Sequence, residues 1–173
     1  MNQFGSIENQ ENKILIAYYT RTGNTEIFAQ VIQKFAGGDL FRIEPVNKYP
    51  DSYQETLKIS KVEIDNQQKP QIVRIVENID NYNVIFVGTP NWYGTMAPPV
   101  ATFISTHNLT EKTVIPFATH GGGEQRCLVD IGEMCSQAIV LDGLALYGSQ
   151  AEKANDKILN WLKKLQIFDN KLI

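Results

Sequence analysis

Two hydrophobic patterns alternate along this chain. Ile14 to Tyr19, Val84 to Gly88 and Val114 to Ala118 are unbroken, mainly apolar runs, the form a strand takes when both faces of its sheet are covered. Between and after them, apolar residues recur at the 3.6-residue spacing of helices. Ile27, Phe28, Val31, Ile32 and Phe35 share one face, and Gly37-Gly38 ends that helix before a short strand from Leu40 to Ile43. Pro98-Pro99 opens another helix carrying Val100, Phe103 and Ile104. A helix around Cys127 to Cys135 leads to a fifth strand broken near Asp142-Gly143. The chain then closes on an amphipathic helix holding Ala154, Ile158, Trp161, Leu162 and Leu165.

Strands that alternate with helices predict an α/β fold, a five-stranded parallel sheet between two helical layers. One stretch departs from the pattern. Pro45 to Tyr82 is longer and more polar than a crossover requires. It predicts a helix from Ser52 to about Asn66 and a weaker apolar pattern at Ile72, Ile75, Val76 and Ile79. We read residues 46–71 as an ordered helical insertion, because long loops inside compact domains carry structure of their own.

Composition narrows the partners. A chain of 173 residues with 43% hydrophobic residues can bury a core as one domain, expected over residues 13–173. The polar start, residues 1–12, reads as a flexible tail and not a secretory signal. A net charge of -3, with Lys and Arg scattered, argues against nucleic acid. No run approaches the length of a membrane span. Cys127 and Cys135 lie too far apart along one helix to bridge, and they read as buried reduced thiols of a cytoplasmic protein. Neither has ligand-spaced partners, so no metal is expected; the histidines are His107 and His120.

Three strand exits carry the candidate chemistry. The first strand runs into Thr20-Arg21-Thr22-Gly23-Asn24-Thr25 and then directly into a helix. Unpaired N–H groups at the helix start, three hydroxyls and the helix dipole make an anion site. The same threonines also read as plain helix caps. Without the ending of a P-loop or the glycines of a dinucleotide site, a phosphate monoester suits the loop best. The second exit, Thr89-Pro90-Asn91-Trp92-Tyr93-Gly94-Thr95-Met96, offers aromatic stacking surfaces and backbone donors to a flat ring, or a cap for the core. The third, Thr119-His120-Gly121-Gly122-Gly123, keeps side chains clear of a ligand. His120 is a candidate proton donor or a hydrogen-bonded bystander, and His107 reads as a solvated or capping residue.

Tyr19 to Thr25 resembles the phosphate loop of the flavodoxin family. The Trp92-Tyr93-Gly94-Thr95-Met96 segment is similar to a loop of flavodoxin-like quinone reductases, and Thr119-His120-Gly121-Gly122 resembles a stretch found in one broad branch of the family. The resemblance covers about Lys13 to Leu165. It implies strand order 2-1-3-4-5 and flavin mononucleotide (FMN) at the carboxyl edge of the sheet. Thr20 to Thr25 would hold the phosphate, with Pro90 to Met96 and Thr119 to Gly123 around the ring. It also allows a homodimer in which a second subunit supplies a wall.

Two functions compete on this reading, with a flavin-free interaction module a distant third. One is an oxidoreductase that takes hydride from a nicotinamide nucleotide and reduces quinones or similar small acceptors. The other is an electron carrier docking on a redox partner protein. The three loops hold Arg21 and no carboxylate, so reduced flavin is expected to be less destabilised than in a dedicated carrier. Asp51, Glu55, Glu63 and Asp65 of the insertion are the residues that would reverse this if they faced the ring.

Overall fold

The computed structural model describes residues 12–167; nearly all of the expected tail lies outside them. Strand β1 (Ile14–Tyr18) is buried throughout. Ile14, Ile16 and Tyr18 enter one core while Leu15, Ala17 and the following Tyr19 enter the other. Side chains on a strand alternate faces, so a run with a core on each side has no position for a polar residue.

Helices α1 (Asn24–Ala36) and α5 (Asn155–Lys164) cover the first face, where Phe28, Ile32, Ile158 and Leu162 are fully buried. Helices α3 (Pro98–Thr106) and α4 (Cys127–Met134) cover the second with Val100, Phe103 and Ile131. Each such side chain stabilises the fold by about 1.5–3 kcal/mol through burial.

Strand β1 pairs in parallel with β2 (Asp39–Arg42) and with β3 (Val84–Trp92), and β3 pairs with β5 (Thr113–His120). Two short strands, β6 (Ile139–Val140) and β7 (Leu144–Tyr147), both pair in parallel with β5. Counted as one broken strand, they complete the expected order 2-1-3-4-5. The break falls opposite Ile115 and Pro116, and Pro116 has no N–H to offer a neighbour. Gly143 fills the gap because a Cβ there would lie 2.5 Å from the Pro116 carbonyl oxygen.

The strands run further toward the ligand edge than the apolar runs predict. Pro90 is in register with Thr119, so pairing continues past Gly88 and Ala118. Strand β3 then turns back through Tyr93-Gly94 into antiparallel β4 (Thr95–Met96). Both turn residues have positive φ, 51° and 84°, as a tight two-residue hairpin requires.

The insertion leaves and returns at one point. Val46 N–H donates to Gln71 O at 2.8 Å beside a bridge between Pro45 and Ile72. Within it lies helix α2 (Tyr53–Asp65), where the Ser52 hydroxyl caps the Glu55 N–H. The strap from Ile72 to Asn78, carrying Ile72, Val73, Ile75 and Val76, runs through a bend and a turn into a 3₁₀ turn, Ile79–Asn81.

His107 stands at the C-cap of α3 and pins that strap, so of its two expected readings the capping one applies and the solvated one does not. It is 8% exposed. Its Nδ1–H donates to Phe103 O at 2.7 Å and its Nε2 accepts from Val76 N–H at 2.9 Å. Burial holds its pKa below the usual value. No described helix is long and apolar enough to cross a membrane.

Candidate functional site

The carboxyl ends of β1, β3, β5 and β7 open into one cleft of about 620 Å³. Thr20, Arg21, Thr22, Asn24 and Thr25 line it from the first exit, Pro90, Asn91, Trp92 and Tyr93 from the second, and Thr119, His120 and Gly121 from the third. Three loops distant in sequence therefore meet as their motifs imply.

At the first exit α1 begins without a side-chain cap, since Gly23, at φ 93°, holds the N-cap position. The helix-start N–H groups stay available to an anion. Thr20 Oγ1 accepts from Gly23 N–H at 3.0 Å, and Thr25 Oγ1 meets Thr119 Oγ1 at 2.8 Å. Thr20 and Thr25 thus hold the loops in shape instead of capping α1. Arg21 Nη2 donates to Asp51 O at 2.7 Å, while its buried Nε has no partner. Open space surrounds the positions where Gly23, Gly121, Gly122 and Gly123 would carry a Cβ. An uncapped helix start, an orphaned guanidinium N–H and a clear cradle fit a phosphate ester, and the aromatic second exit fits a flat ring.

Asn91 fastens the second exit to the third. Its Oδ1 accepts from Gly94 N–H at 2.8 Å and its Nδ2 donates to Gly123 O. Trp92 lines the cleft but also packs edge-on against Tyr19 at 5.5 Å and Tyr49 at 4.8 Å, so the stacking and core-capping readings both apply. Tyr93 stands on the rim, its hydroxyl donating to Leu57 O at 3.0 Å. The side chains of Thr95 and Met96 turn away, Thr95 Oγ1 donating to Asp130 and Met96 entering the second core, which leaves only their peptide groups for a ligand. Gly123 N–H donates to His120 Nδ1 at 2.9 Å. That bond leaves the proton of neutral His120 on Nε2. The ring also packs against Tyr147 at 4.5 Å.

Two walls escaped the motif reading. Helix α2 contributes Tyr53, Thr56, Leu57 and Ser60, and the β7 exit contributes Tyr147, Gly148 and Ser149. Thr56 and Ser60 are buried with their hydroxyls returned to backbone carbonyls, so α2 offers a small, internally satisfied face. The β7 exit was predictable from topology alone, since it ends on the same sheet edge.

Electrostatically the cleft is simple. It contains Arg21 and no Asp or Glu. Of the insertion's acids, Asp65 pairs with Lys61 and Glu63 accepts from the Tyr49 hydroxyl, and none lines the cleft. Burial pushes the Cys127 and Cys135 thiols up to about 12 and about 11, so both are protonated at neutral pH and unsuited to nucleophilic chemistry. Among the described residues no group of three or more His, Cys, Asp or Glu is placed to hold a metal.

Residues 13–165 match the family model described as Flavodoxin. The chain belongs to the flavodoxin family. Among curated proteins it is 28% identical over 158 residues to an "NAD(P)H dehydrogenase (quinone)" of Sinorhizobium fredii, covering 84% of this chain and 77% of that one. A flavoprotein structure from Bacteroides eggerthii superposes with TM-score 0.80 at 31% identity, covering 90% of this chain and 98% of the other. A Lactobacillus acidophilus flavoprotein in complex with FMN shares the fold with TM-score 0.70 at 23% identity, covering 82% and 97%.

Proposed function

We propose that this flavodoxin-family protein binds FMN in the 620 Å³ cleft and acts as a reductase, passing hydride from a nicotinamide nucleotide to a quinone or similar small acceptor. Similarity to NAD(P)H dehydrogenases (quinone) and to FMN-binding structures supports both parts. One observation favours an enzyme over a carrier: the cleft is free of carboxylates and flanked by aromatic residues on its rim.

Bound flavin supplies the hydride chemistry. Thr20 to Thr25 hold its phosphate, and Asn91 and Thr119 keep the surrounding loops in register. Tyr53, Tyr93 and Tyr147 are 62%, 48% and 47% exposed and ring the mouth, where they offer stacking faces to a planar acceptor. His120, its tautomer fixed by Gly123, presents an Nε2–H donor to an acceptor oxygen. Free, buried cysteines fit a reducing compartment, the cytoplasm.

Anaerobic mixing of the FMN-loaded protein with NADH or NADPH tests this reading through flavin absorbance. Rapid bleaching, reversed by added quinone, is expected. Flavin that neither nucleotide reduces but dithionite does would remove the reductase reading in favour of a carrier.

A further inference from the structure

A second cleft of about 330 Å³ adjoins the first across the phosphate loop, sharing Thr20, Arg21 and Thr22 with it. It lies at the carboxyl ends of β1 and β2 and is lined by Arg21, Arg42 and Lys48 together with Glu44, Tyr49 and Asp51. Three cations thus outnumber two carboxylates, the reverse of the molecule's overall charge of -3. FMN attached at the phosphate loop with its ring in the larger cleft leaves this space unused.

The cations are only partly engaged. Arg42 reaches Glu26 at 3.3 Å and Glu44 at 3.8 Å, with 43% of its side chain exposed. Lys48 is exposed and makes no ion pair or hydrogen bond among the described residues. Arg21 lines both clefts and already donates from Nη2 to Asp51 O, so Arg42 and Lys48 are the cations this cleft has to itself. Guanidinium and ammonium groups around one space favour a doubly charged phosphate over a hydroxyl. Tyr49 adds an aromatic side chain to the lining, beside the proline pair Pro45 and Pro50.

We propose that this second cleft is the subsite for the 2′-phosphate end of NADPH, making the protein selective for NADPH over NADH. The inference rests on the reductase reading. With the nicotinamide over the flavin in the larger cleft, the nucleotide runs past the FMN phosphate toward Arg42 and Lys48. Glu44, which lines this cleft beside Arg42, can accept from the 3′-hydroxyl of the ribose that carries the 2′-phosphate.

Calorimetry on the FMN-loaded protein tests the subsite without requiring hydride transfer. 2′,5′-ADP is expected to bind about tenfold tighter than 5′-AMP, and Lys48→Glu is expected to abolish that difference while FMN stays bound. Equal affinities, an advantage that survives Lys48→Glu, or release of FMN by 2′,5′-ADP would each overturn the assignment. The reductase reading fails separately. Equal bleaching by NADH and NADPH would overturn the subsite and leave the reductase intact. No bleaching by either, with the 2′,5′-ADP preference present and sensitive to Lys48→Glu, would keep the phosphate subsite and discard the reductase.

Discussion

Thr25 Oγ1 and Thr119 Oγ1 lie 2.8 Å apart, joining the first turn of α1 to the end of β5 across 94 residues of sequence. Both residues are buried, at 1% and 4% exposure. One hydroxyl donates to the other, and the bond fixes the spacing between the Thr20 to Thr25 loop and the glycine loop.

Replacing one partner therefore strands the other. Thr25→Val or Thr119→Val is expected to cost about 1–3 kcal/mol, the penalty for an unsatisfied buried hydroxyl. The double variant, with both positions apolar and similar in volume, should recover most of that loss. Urea denaturation of all four proteins closes the cycle. Additive losses would mean that the hydroxyls do not depend on each other.

His107 gives a pH-dependent contribution of known sign. Its buried ring must be neutral for Nε2 to accept from Val76 N–H, and its folded pKa is lowered from 6.5. The folded state thus binds the proton less readily than the unfolded chain, so this contribution is complete above 6.5 and declines as pH falls below it. His107→Ala should lower stability at pH 8 by about 1–3 kcal/mol. It should also flatten the loss of stability between about pH 6.5 and 5 relative to the parent. Parallel slopes in the two proteins would show that the ring is not held neutral.

The parts that sequence conveyed and those it concealed differ for physical reasons. An apolar run such as Ile14 to Tyr19 has one low-energy use, a strand with both faces buried, and Thr22-Gly23-Asn24 after it marks a turn into a helix. Those local signals carried the main strands and three of the cleft's walls, while the strand order followed from the family resemblance of the three loops. Nothing in the pattern marked Thr56 and Ser60 as cleft residues, because small hydroxyl residues are at home on surfaces. They are buried here because their hydroxyls return to Pro50 and Thr56 carbonyls. His107 was legible as a helix cap but not as a buried residue, its burial depending on partners at Phe103 and Val76. The apolar run Val84 to Gly88 stopped short of Pro90, yet β3 carries Pro90 in register with Thr119.

The wall formed by α2 is tied to the hairpin through the Tyr93 hydroxyl and the Leu57 carbonyl, 3.0 Å apart. The bond is exposed, so Tyr93→Phe should cost no more than about 0.5–1 kcal/mol of global stability. Its effect is expected locally, as faster amide hydrogen exchange in residues 53–65 with β1 and β5 unchanged. Unaltered exchange in α2 would show that other contacts, such as Tyr49 to Glu63, hold the wall by themselves.

The absence of carboxylates from the cleft should be measurable as a potential. Reduced FMN carries negative charge that a nearby carboxylate opposes, and for a two-electron couple each tenfold change in relative binding is about 30 mV. Leu57 lines the cleft from α2 and is partly exposed, so an aspartate there can stay ionised beside the ring. Leu57→Asp is expected to lower the midpoint potential of bound FMN by about 30 mV, and neutral Leu57→Asn to leave it nearly unchanged. Arg21→Gln should shift it the same way as Leu57→Asp, by removing the cation. Salt distinguishes the field from a packing effect, because a Coulombic shift between partly exposed groups shrinks as ionic strength rises. Equal potentials for the aspartate and asparagine variants would place α2 away from the flavin ring, and the reductase reading would lose its electrostatic support.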